Sequence, residues 1–200
     1  NSRDIARELY NLGIDVYHQS VVGDNLNRVS KELETAFERA DLVITTGGLG
    51  PTRDDLTKEA AAHFLKREMI LDEESIRHLE DFFFFIWLPL NEGNKRQAYF
   101  PEGAKIIPNE NGTAPACIIE FDEKVLVILP GPPREVIPLM EKYIIPYLEK
   151  RTGKVFISDI INISGIGEGH MEEKIMDIIE AQENPTVAPY AKEHGLTLRV

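Results

Sequence analysis

The sequence predicts a three-layer α/β domain, a mostly parallel sheet with helices on both faces, followed by a small α+β domain. Helical and strand-like patterns alternate as far as residue 150, as they do in sheets joined by crossover helices. Residues 41–46 include a short continuous apolar run, the pattern of a strand that is covered on both faces. The pattern changes after residues 151–153, and we therefore expect domains at 1–150 and 154–200.

The elements of the first domain follow from hydrophobic spacing and from residues that begin or end helices. Ser2 can cap a first helix that Gly13 ends, and residues 14–23 are predicted to form a strand. Residues 25–40 form an amphipathic helical pattern, and residues 91–112 are predicted to be mostly loop. The remaining predicted elements are helices at 56–66, 72–85 and 134–150, and a hairpin of strands 116–121 and 124–129 with its turn at Asp122 and Glu123.

The second domain has the order strand, glycine-containing loop, helix, strand, turn, strand, which suggests a small KH-like unit. These elements are predicted at 154–164, 165–169, 171–179, 186–191 and 196–200. Gly165, Gly167 and Gly169 do not form the G-x-x-G loop of RNA-binding KH modules. The chain begins with Asn1 and ends inside a strand-like stretch, so we expect both ends to be cut and the second domain to be truncated.

Composition limits the classes of partner. The 200 residues carry 22 Lys and Arg against 34 Asp and Glu, a net charge of −12, which argues against broad attraction to nucleic acid or to an anionic membrane. Cys117 is the only cysteine, which excludes an internal disulfide and favours a cytoplasmic location. The longest apolar run, 82–90, is much shorter than the roughly 20 residues of a membrane span. We expect it to be a helix end packed on the core.

Two predicted strands end in loops rich in glycine and proline, at 47–55 and 130–136. In an open parallel sheet, ligands bind beyond the carboxyl ends of the strands, and a helix that follows such a loop presents free N–H groups to phosphate. Neither loop has the Walker A or the G-x-G-x-x-G spacing. We expect at least one of Gly47, Gly48 and Gly50 to have a positive φ or to lie against the ligand path.

The adjacent carboxylates Asp54 and Asp55 follow the first of these loops. One of them can cap the next helix, which stabilises a helix by about 1 kcal/mol. Both cannot cap it, so the second is free to bind a metal ion or a proton. Mg²⁺ is commonly held by one or two carboxylates together with substrate phosphates. We therefore expect the aspartate pair to bind a divalent metal ion, with Mg²⁺ as the first candidate.

The stretch "TTGGLGPTRDDLTKEA" at 45–60 resembles the signature loop of the molybdopterin-binding fold, and its "GPTRDD" part resembles the CinA (competence-damage-inducible) family in particular. Further matching stretches lie at 21–25, 94–98, 111–116, 129–136, 165–169 and 184–191. The opening strand and the "TGxELLxG" turn of the family are absent, so we expect the first strand to be missing. Ala116 stands where the family usually has glycine. The C-terminal amidase domain is also absent, and its deamidase activity is not assigned to this chain.

The resemblance implies a metal site and a catalytic group. Asp55 and Asp24 match the positions that serve the metal and the phosphoryl chemistry in molybdopterin-enzyme relatives, with Asp54 as a further metal ligand. For Asp24 the alternative is a role as the N-cap of the helix that starts at Asn25. Arg53 would neutralise charge on the reacting phosphate, with a surface charge or an internal salt bridge as the alternative.

The resemblance also implies a set of substrate contacts. The backbone of the first loop would approach phosphate, the proline-rich turn would form the opposite wall, and polar residues near 94–98 would reach a ribose or a base. The residues are Gly47, Gly48, Gly50, Thr52, Asn94, Arg96, Gln97, Gly131 and Pro132. Arg96, like Arg53, has a surface charge or an internal salt bridge as its alternative.

Three functions remain open. The CinA resemblance implies a metal-dependent nucleotide pyrophosphatase that cleaves ADP-ribose to AMP and ribose 5-phosphate. The wider fold implies a pterin-binding or adenylyl-transferring protein of molybdenum cofactor biosynthesis. A non-catalytic nucleotide-binding or dimerising module is the third, since fold alone does not define function. We expect a nucleotide as the small-molecule partner, a homodimer, and neither nucleic acid nor a membrane as partner.

Overall fold

The computed structural model describes residues 1–152, 159–192 and 195–200. The chain divides into two compact units, Asn1–Gly153 and Lys154–Val200. Part of the strand predicted at 154–164, the segment 154–158, lies outside the described residues, as do residues 193–194 in the last predicted turn.

The first unit contains seven α-helices and six strands among its described residues. The helices are α1 (Ser2–Asn11), α2 (Leu26–Phe37), α3 (Thr57–Leu65), α4 (Glu73–Phe85), α5 (Glu92–Lys95), α6 (Pro133–Leu139) and α7 (Ile145–Thr152). A 3₁₀ turn, Arg96–Ala98, follows α5, and a π-helical turn, Met140–Ile144, joins α6 to α7. The strands are β1 (Leu42–Thr46), β2 (Met69–Leu71), β3 (Tyr99–Pro101), β4 (Lys105–Ile107), β5 (Ala116–Phe121) and β6 (Lys124–Leu129).

The main sheet has the strand order β1-β6-β5-β4. β1 and β6 are parallel, with Thr46 opposite Leu129, whereas β6 pairs with β5 and β5 with β4 in antiparallel directions. The predicted hairpin is confirmed, and its turn residues Asp122 and Glu123 have φ values of 45° and 66°. A two-residue turn of this kind reverses the chain, so the described sheet is mixed rather than mostly parallel.

Helices cover both faces of this sheet, which confirms the α/β class and its three layers. Alternate residues of β6 face opposite sides: Val125, Val127 and Leu129 join one buried cluster, and Leu126 and Ile128 join the other. The first cluster is completed by α1, α6 and α7, through Ile5, Leu9, Val136, Leu139 and Leu148. The second is completed by α2 and α3, through Leu33, Phe37 and Ala61.

Three local expectations are wrong. Residues 14–23 form no strand, and two of their apolar side chains face water, since Tyr17 is 80% and Val21 95% exposed. The segment 91–112 is not mostly loop, because it contains α5, β3 and β4. Strands of three residues are too short to give a recognisable alternating pattern. Ser2 is also not a cap, because α1 begins with it after Asn1.

The apolar run at 82–90 contains the end of a helix, as expected, but it is not packed on the core. α4 does end within it, at Phe85, but Phe84, Phe85 and Trp87 are 81%, 81% and 89% exposed instead of packed on the core. Consecutive residues of a helix point in different directions, so an unbroken apolar run cannot be buried by one neighbouring layer. No helix in the described part of the chain is long and apolar enough to cross a membrane.

The second unit contains one helix and one three-stranded sheet among its described residues. These are β7 (Ile160–Ile163), α8 (Glu168–Ala181), β8 (Ala188–Lys192) and β9 (Gly195–Arg199). β9 lies in the middle of the sheet and is antiparallel to both neighbours.

Candidate functional site

Two turns meet where the parallel strands β1 and β6 end. We call residues 47–55 the glycine loop and residues 130–133 the proline turn. The backbone N–H of Gly47 donates to the carbonyl oxygen of Leu129 at 3.0 Å. A Cβ added to Gly131 would lie only 3.7 Å from the Cα of Gly47. The structure therefore brings the two predicted phosphate-contacting turns into contact at one edge of the sheet.

The backbone of the glycine loop requires glycine at two positions. Gly47 and Gly48 have φ values of 102° and 71°, which confirms the expectation of a positive φ in this loop. The Thr57 hydroxyl donates to the carbonyl oxygen of Gly47 at 2.8 Å, and the Thr57 N–H donates to that of Gly48 at 3.2 Å. A Cβ on Gly48 would lie 2.2 Å from the Thr57 hydroxyl oxygen, so any side chain there displaces this anchor.

A polar junction beside the two turns was not foreseen from the sequence. The Thr46 hydroxyl donates to the carbonyl oxygen of Pro130 at 2.8 Å. The amide Nδ2 of Asn1 donates to the Thr46 hydroxyl oxygen at 2.9 Å and to the carbonyl oxygen of Gly131 at 2.5 Å. The Oδ1 atom of Asn1 is buried without a hydrogen-bond partner among the described residues, which leaves one unused acceptor at the junction.

The aspartate pair closes the glycine loop rather than capping α3. The N-cap of α3 is Leu56 and no side chain among the described residues caps it, so the expected cap by Asp54 or Asp55 is wrong. Instead, the Thr52 N–H donates to Oδ2 of Asp55 at 3.0 Å, and the Thr52 hydroxyl contacts both carboxylates. This hydroxyl contact, together with the N–H of Asp54 itself, lowers the pKa of the Asp54 carboxyl. A Cβ on Gly50 would lie 2.5 Å from Oδ2 of Asp55, so a glycine there makes room for the carboxylate.

Asp24 and Arg53 are exposed and have no hydrogen bond or ion pair in the described part of the chain. The capping alternative for Asp24 is wrong, because Asn25 caps α2 by accepting from the N–H of Arg28 at 3.1 Å. α2 contacts β1, and only residues 38–41 connect them. α2 therefore returns antiparallel to β1, which brings its first turn and Asp24 toward the carboxyl end of that strand.

Arg96 holds the glycine loop from outside. Its guanidinium donates to the carbonyl oxygens of Thr52 at 3.1 Å and Asp55 at 3.4 Å, and to the Glu59 carboxylate at 2.6 Å. The internal salt bridge considered for Arg96 is therefore formed. Glu59 was not predicted as a site residue, and it fixes the orientation of this guanidinium.

Gln97 and Lys58 complete an interlock between the segment after α5 and the glycine loop. Gln97 is 2% exposed, and its amide donates to the carbonyl oxygen of Leu49 at 3.4 Å while its own Oε1 has no partner among the described residues. The Lys58 ammonium, 4% exposed, donates to the carbonyl oxygen of Gln97 at 2.7 Å and lies 4.1 Å from the centre of the Phe100 ring. Gln97 thus supports the loop, whereas Asn94, also predicted as a ligand contact, is half-buried in α5.

The buried Lys58 predicts a pH dependence of stability. Burial lowers its pKa from 10.5 to about 8, so between these values the unfolded chain binds a proton that the folded chain has released. Stability from this group therefore rises with pH over that window, by roughly 3 kcal/mol in total. We expect the free energy of unfolding of the parent to rise relative to Lys58→Met between about pH 8 and pH 10.5 in urea titrations.

Lys31→Met, which removes one exposed positive charge, is the matched control for this measurement. A difference between parent and Lys58→Met that stays constant over the same pH window would contradict the perturbed lysine.

A second buried network supports the proline turn. Nδ2 of Asn109, 3% exposed, donates to Oε2 of Glu135 at 2.7 Å and to the carbonyl oxygen of Ala114 at 2.9 Å. Glu135 is 6% exposed and lies in the first turn of α6, immediately after the proline turn, in which Pro132 is the N-cap. A Cβ on Gly112 would lie 2.3 Å from Oε2 of Glu135. This network fixes the segment 109–114 against α6.

The donor set at the glycine loop fits a hard divalent cation in part. Asp54 and Asp55 offer carboxylate oxygens, the donor type that Mg²⁺ prefers. Among the described residues, however, no three His, Cys, Asp or Glu side chains are grouped closely enough to hold a metal ion by themselves. A cation here would therefore take further oxygens from water and from substrate phosphates, as Mg²⁺ commonly does.

Comparison with known families places the first unit in a class of domains. Residues 1–150 match the model of the probable molybdopterin-binding domain, and residues 158–200 match that of the damage-inducible protein CinA KH domain. The three-layer α/β unit with its glycine loop is thus a domain of the molybdopterin-binding class. A solved structure of the protein CinA from Thermoplasma acidophilum is 32% identical, with a TM-score of 0.66, covering 76% of this chain and 85% of that chain. The chain belongs to the CinA family.

Curated relatives of the chain are described as competence-damage inducible proteins. A competence-damage inducible protein of Alkaliphilus oremlandii is 60% identical over all 200 residues, which make up 48% of its own length. One of Clostridium botulinum (strain Langeland) is 53% identical over 200 residues, or 49% of its length. The chain spans about half the length of the curated relatives it matches.

Proposed function

We propose that this chain carries the active site of a divalent-metal-dependent nucleotide pyrophosphatase, which hydrolyses ADP-ribose to AMP and ribose 5-phosphate. Water supplies the hydroxyl that forms a new bond to one phosphorus, and the bridging oxygen leaves with the other phosphate. The observation that carries the proposal is the contact between the glycine loop and the proline turn, with the carboxylates of Asp54 and Asp55 on the loop itself.

The glycine loop has backbone N–H groups that are available to donate hydrogen bonds to phosphate oxygens. The N–H groups of Gly48 and Gly50 donate to no carbonyl oxygen in the described residues. Both positions lack a side chain, so an anionic oxygen can approach the backbone closely. Arg53 is an exposed cation that can neutralise the leaving phosphate, and the net charge of −12 supplies no diffuse positive field in its place.

Asp55 is the first candidate to hold the divalent metal, with Asp54 beside it and Asp24 at the same end of β1. The metal, when bound, would neutralise the two phosphates and polarise phosphorus. The Thr52 N–H holds one oxygen of Asp55, which orients the carboxylate before any ligand arrives. The clamp of Arg96 on the loop carbonyls preserves this orientation, so we assign Arg96 and Gln97 a positioning role and Asn94 the contact to ribose or base.

The second candidate is a pterin-binding or adenylyl-transferring protein, and the matched description of residues 1–150 favours it. An adenylyltransferase must exclude water and needs a second pocket for the planar pterin. The segment 111–116 beside the proline turn offers mainly small residues and no large apolar wall for such a ring. This favours the hydrolase over the transferase, and a non-catalytic binding module stays as the third possibility.

The proposal predicts that the protein releases AMP from ADP-ribose in the presence of Mg²⁺ or another divalent metal, and that a chelator stops the reaction. Because the curated relatives are about twice as long, both the full-length protein and the 200-residue chain should be assayed, with AMP measured by chromatography. Calorimetric titrations with ADP-ribose and with a pterin, with and without metal, distinguish the two candidates.

AMP release that is absent with every divalent metal, alongside tight binding of a pterin, would overturn the hydrolase. Binding of ADP-ribose without turnover would support the binding module instead.

We further propose a cytoplasmic location, since the only cysteine, Cys117, is fully buried and no disulfide is available to the chain.

A further inference from the structure

An Asn-Gly pair lies in an exposed turn beside the buried network that supports the proline turn. Asn111 precedes Gly112, and no other asparagine of the chain precedes a glycine. Asn111 is exposed. By contrast, Asn109, two residues earlier, is 3% exposed and donates to Oε2 of Glu135 at 2.7 Å and to the carbonyl oxygen of Ala114 at 2.9 Å. Two asparagines that are close in sequence therefore have opposite surroundings.

The groups that react with each other in an Asn-Gly pair are both unbonded here. Neither the side chain of Asn111 nor the N–H of Gly112 has a hydrogen-bond partner in the described part of the chain. The bond that holds this turn, from the Asn111 N–H to Oδ1 of Asn109 at 3.0 Å, involves neither group. The Asn111 side chain can therefore rotate until its Cγ meets the nitrogen of Gly112, and a glycine has no Cβ to obstruct this approach.

We infer that Asn111 is a site of spontaneous deamidation, which weakens the support of the proline turn as the protein ages. The backbone nitrogen of Gly112 loses its proton and forms a bond to Cγ of Asn111, while the bond from Cγ to Nδ2 breaks and the amide leaves with a proton as ammonia. Water then opens the cyclic imide. Opening at Cγ gives aspartate, and opening at the α-carbonyl carbon gives isoaspartate, in which the main chain runs through Cγ. Water is the only co-reactant in either case.

Isoaspartate at position 111 would act on the candidate site by displacing Gly112. It adds one carbon atom to the main chain, and the network leaves no space for it. A Cβ on Gly112 would already lie 2.9 Å from Nδ2 of Asn109, and closer still to the Glu135 carboxylate. Glu135 is 6% exposed and lies in the first turn of α6, so a shift that removes Asn109 leaves a buried carboxylate without its partner next to the proline turn.

The full-length protein, incubated folded at neutral pH and then digested with trypsin, tests the chemistry directly. Cleavage after Lys105 and Lys124 releases residues 106–124, a peptide that contains both Asn109 and Asn111. Mass spectrometry with fragmentation should show conversion at Asn111 at least about tenfold faster than at Asn109, whose side chain is held and whose next residue has a Cβ. The rate should rise in mildly alkaline buffer, because hydroxide removes the proton from the Gly112 nitrogen.

Two variants connect the chemistry to the site. Asn111→Gln keeps an exposed neutral amide, and its longer side chain forms the cyclic imide far more slowly. Asn111→Asp supplies the charge of the product without lengthening the main chain. After the same incubation, only the parent should show a lower melting temperature. Its affinity for ADP-ribose should fall at least about tenfold, as expected when a buried bond to a charged group is lost. This last readout rests on the proposed function.

Three results would overturn the inference. One is conversion at Asn111 that is no faster than at Asn109. Another is an Asn111→Gln protein that loses stability on incubation as fast as the parent, since a different change would then be responsible. The third is a parent in which isoaspartate accumulates at position 111 while its melting temperature stays that of the fresh protein. A fresh protein that binds no ADP-ribose would contradict the proposed function alone, because the mass and melting measurements need no ligand.

Discussion

Replacement of Asp55 by asparagine is expected to lower metal-dependent release of AMP from ADP-ribose by roughly 100-fold to 1,000-fold, since a metal supplies several kcal/mol of charge stabilisation and each 1.4 kcal/mol is a factor of ten. The melting temperature should change little. Asparagine keeps an oxygen that can accept from the Thr52 N–H, and Asp55 does not cap α3. The variant therefore removes the charge while it preserves the loop. Initial rates at several metal concentrations and a thermal melt together measure both effects.

Three matched variants refine this test. Asp41→Asn removes an exposed carboxylate at the opposite end of β1 and should leave turnover unchanged. Asp54→Asn should have a smaller effect than Asp55→Asn, because Asp54 is exposed and, among the described residues, is held only through its contact to the Thr52 hydroxyl and its own N–H. Asp24→Asn tests the proposed partner ligand. Full activity of Asp55→Asn at every metal concentration would leave that carboxylate with a structural role only.

The parts of the fold that sequence predicted are those whose pattern is repeated over many residues. α2 carries apolar residues at helical spacing, and β6 is apolar from Val125 to Leu129 because both of its faces are buried there. The apolar content of residues 14–23 predicts a strand that the structure does not form, because apolar content alone does not indicate a hydrogen-bonding neighbour. The exposure of Trp87 is likewise invisible in sequence, where an apolar run is the usual sign of burial.

Backbone features of the candidate site that depend on neighbouring residues could be predicted from the sequence. Side-chain contacts between residues distant in the chain could not. The positive φ values of Gly47 and Gly48 follow from glycine preference within a strand-to-helix turn. Adjacency to a helix predicts that one of the two aspartates caps it, yet the Thr52 hydroxyl contacts both carboxylates within the loop. The burial of Lys58 could not be predicted from the sequence, since a lysine in the first turn of a helix normally faces water.

Replacement of Gly48 by valine is expected to weaken binding of ADP-ribose by at least about 100-fold, equivalent to about 3 kcal/mol, while the core stays folded. Two physical effects combine at this position. The φ of 71° is unfavourable for a β-branched residue, and a Cβ would lie 2.2 Å from the Thr57 hydroxyl oxygen. Thr57 anchors the carbonyl oxygen of Gly47, so its displacement releases the part of the loop whose N–H groups are proposed to receive phosphate.

Two controls separate strain from steric displacement in this experiment. Gly165→Val places the same side chain at a φ of 80°, with no atom within 4 Å of the new Cβ in the described residues, and reports the effect of backbone strain alone. Gly47→Ala, at a φ of 102° and also without a close neighbour, tests strain inside the loop without displacing Thr57. Calorimetric titration with ADP-ribose and metal gives the affinities, and circular dichroism verifies the fold. A folded Gly48→Val protein that binds ADP-ribose as tightly as the parent would show that the glycine loop does not receive the phosphates, because the close approach that glycine permits would then be unnecessary.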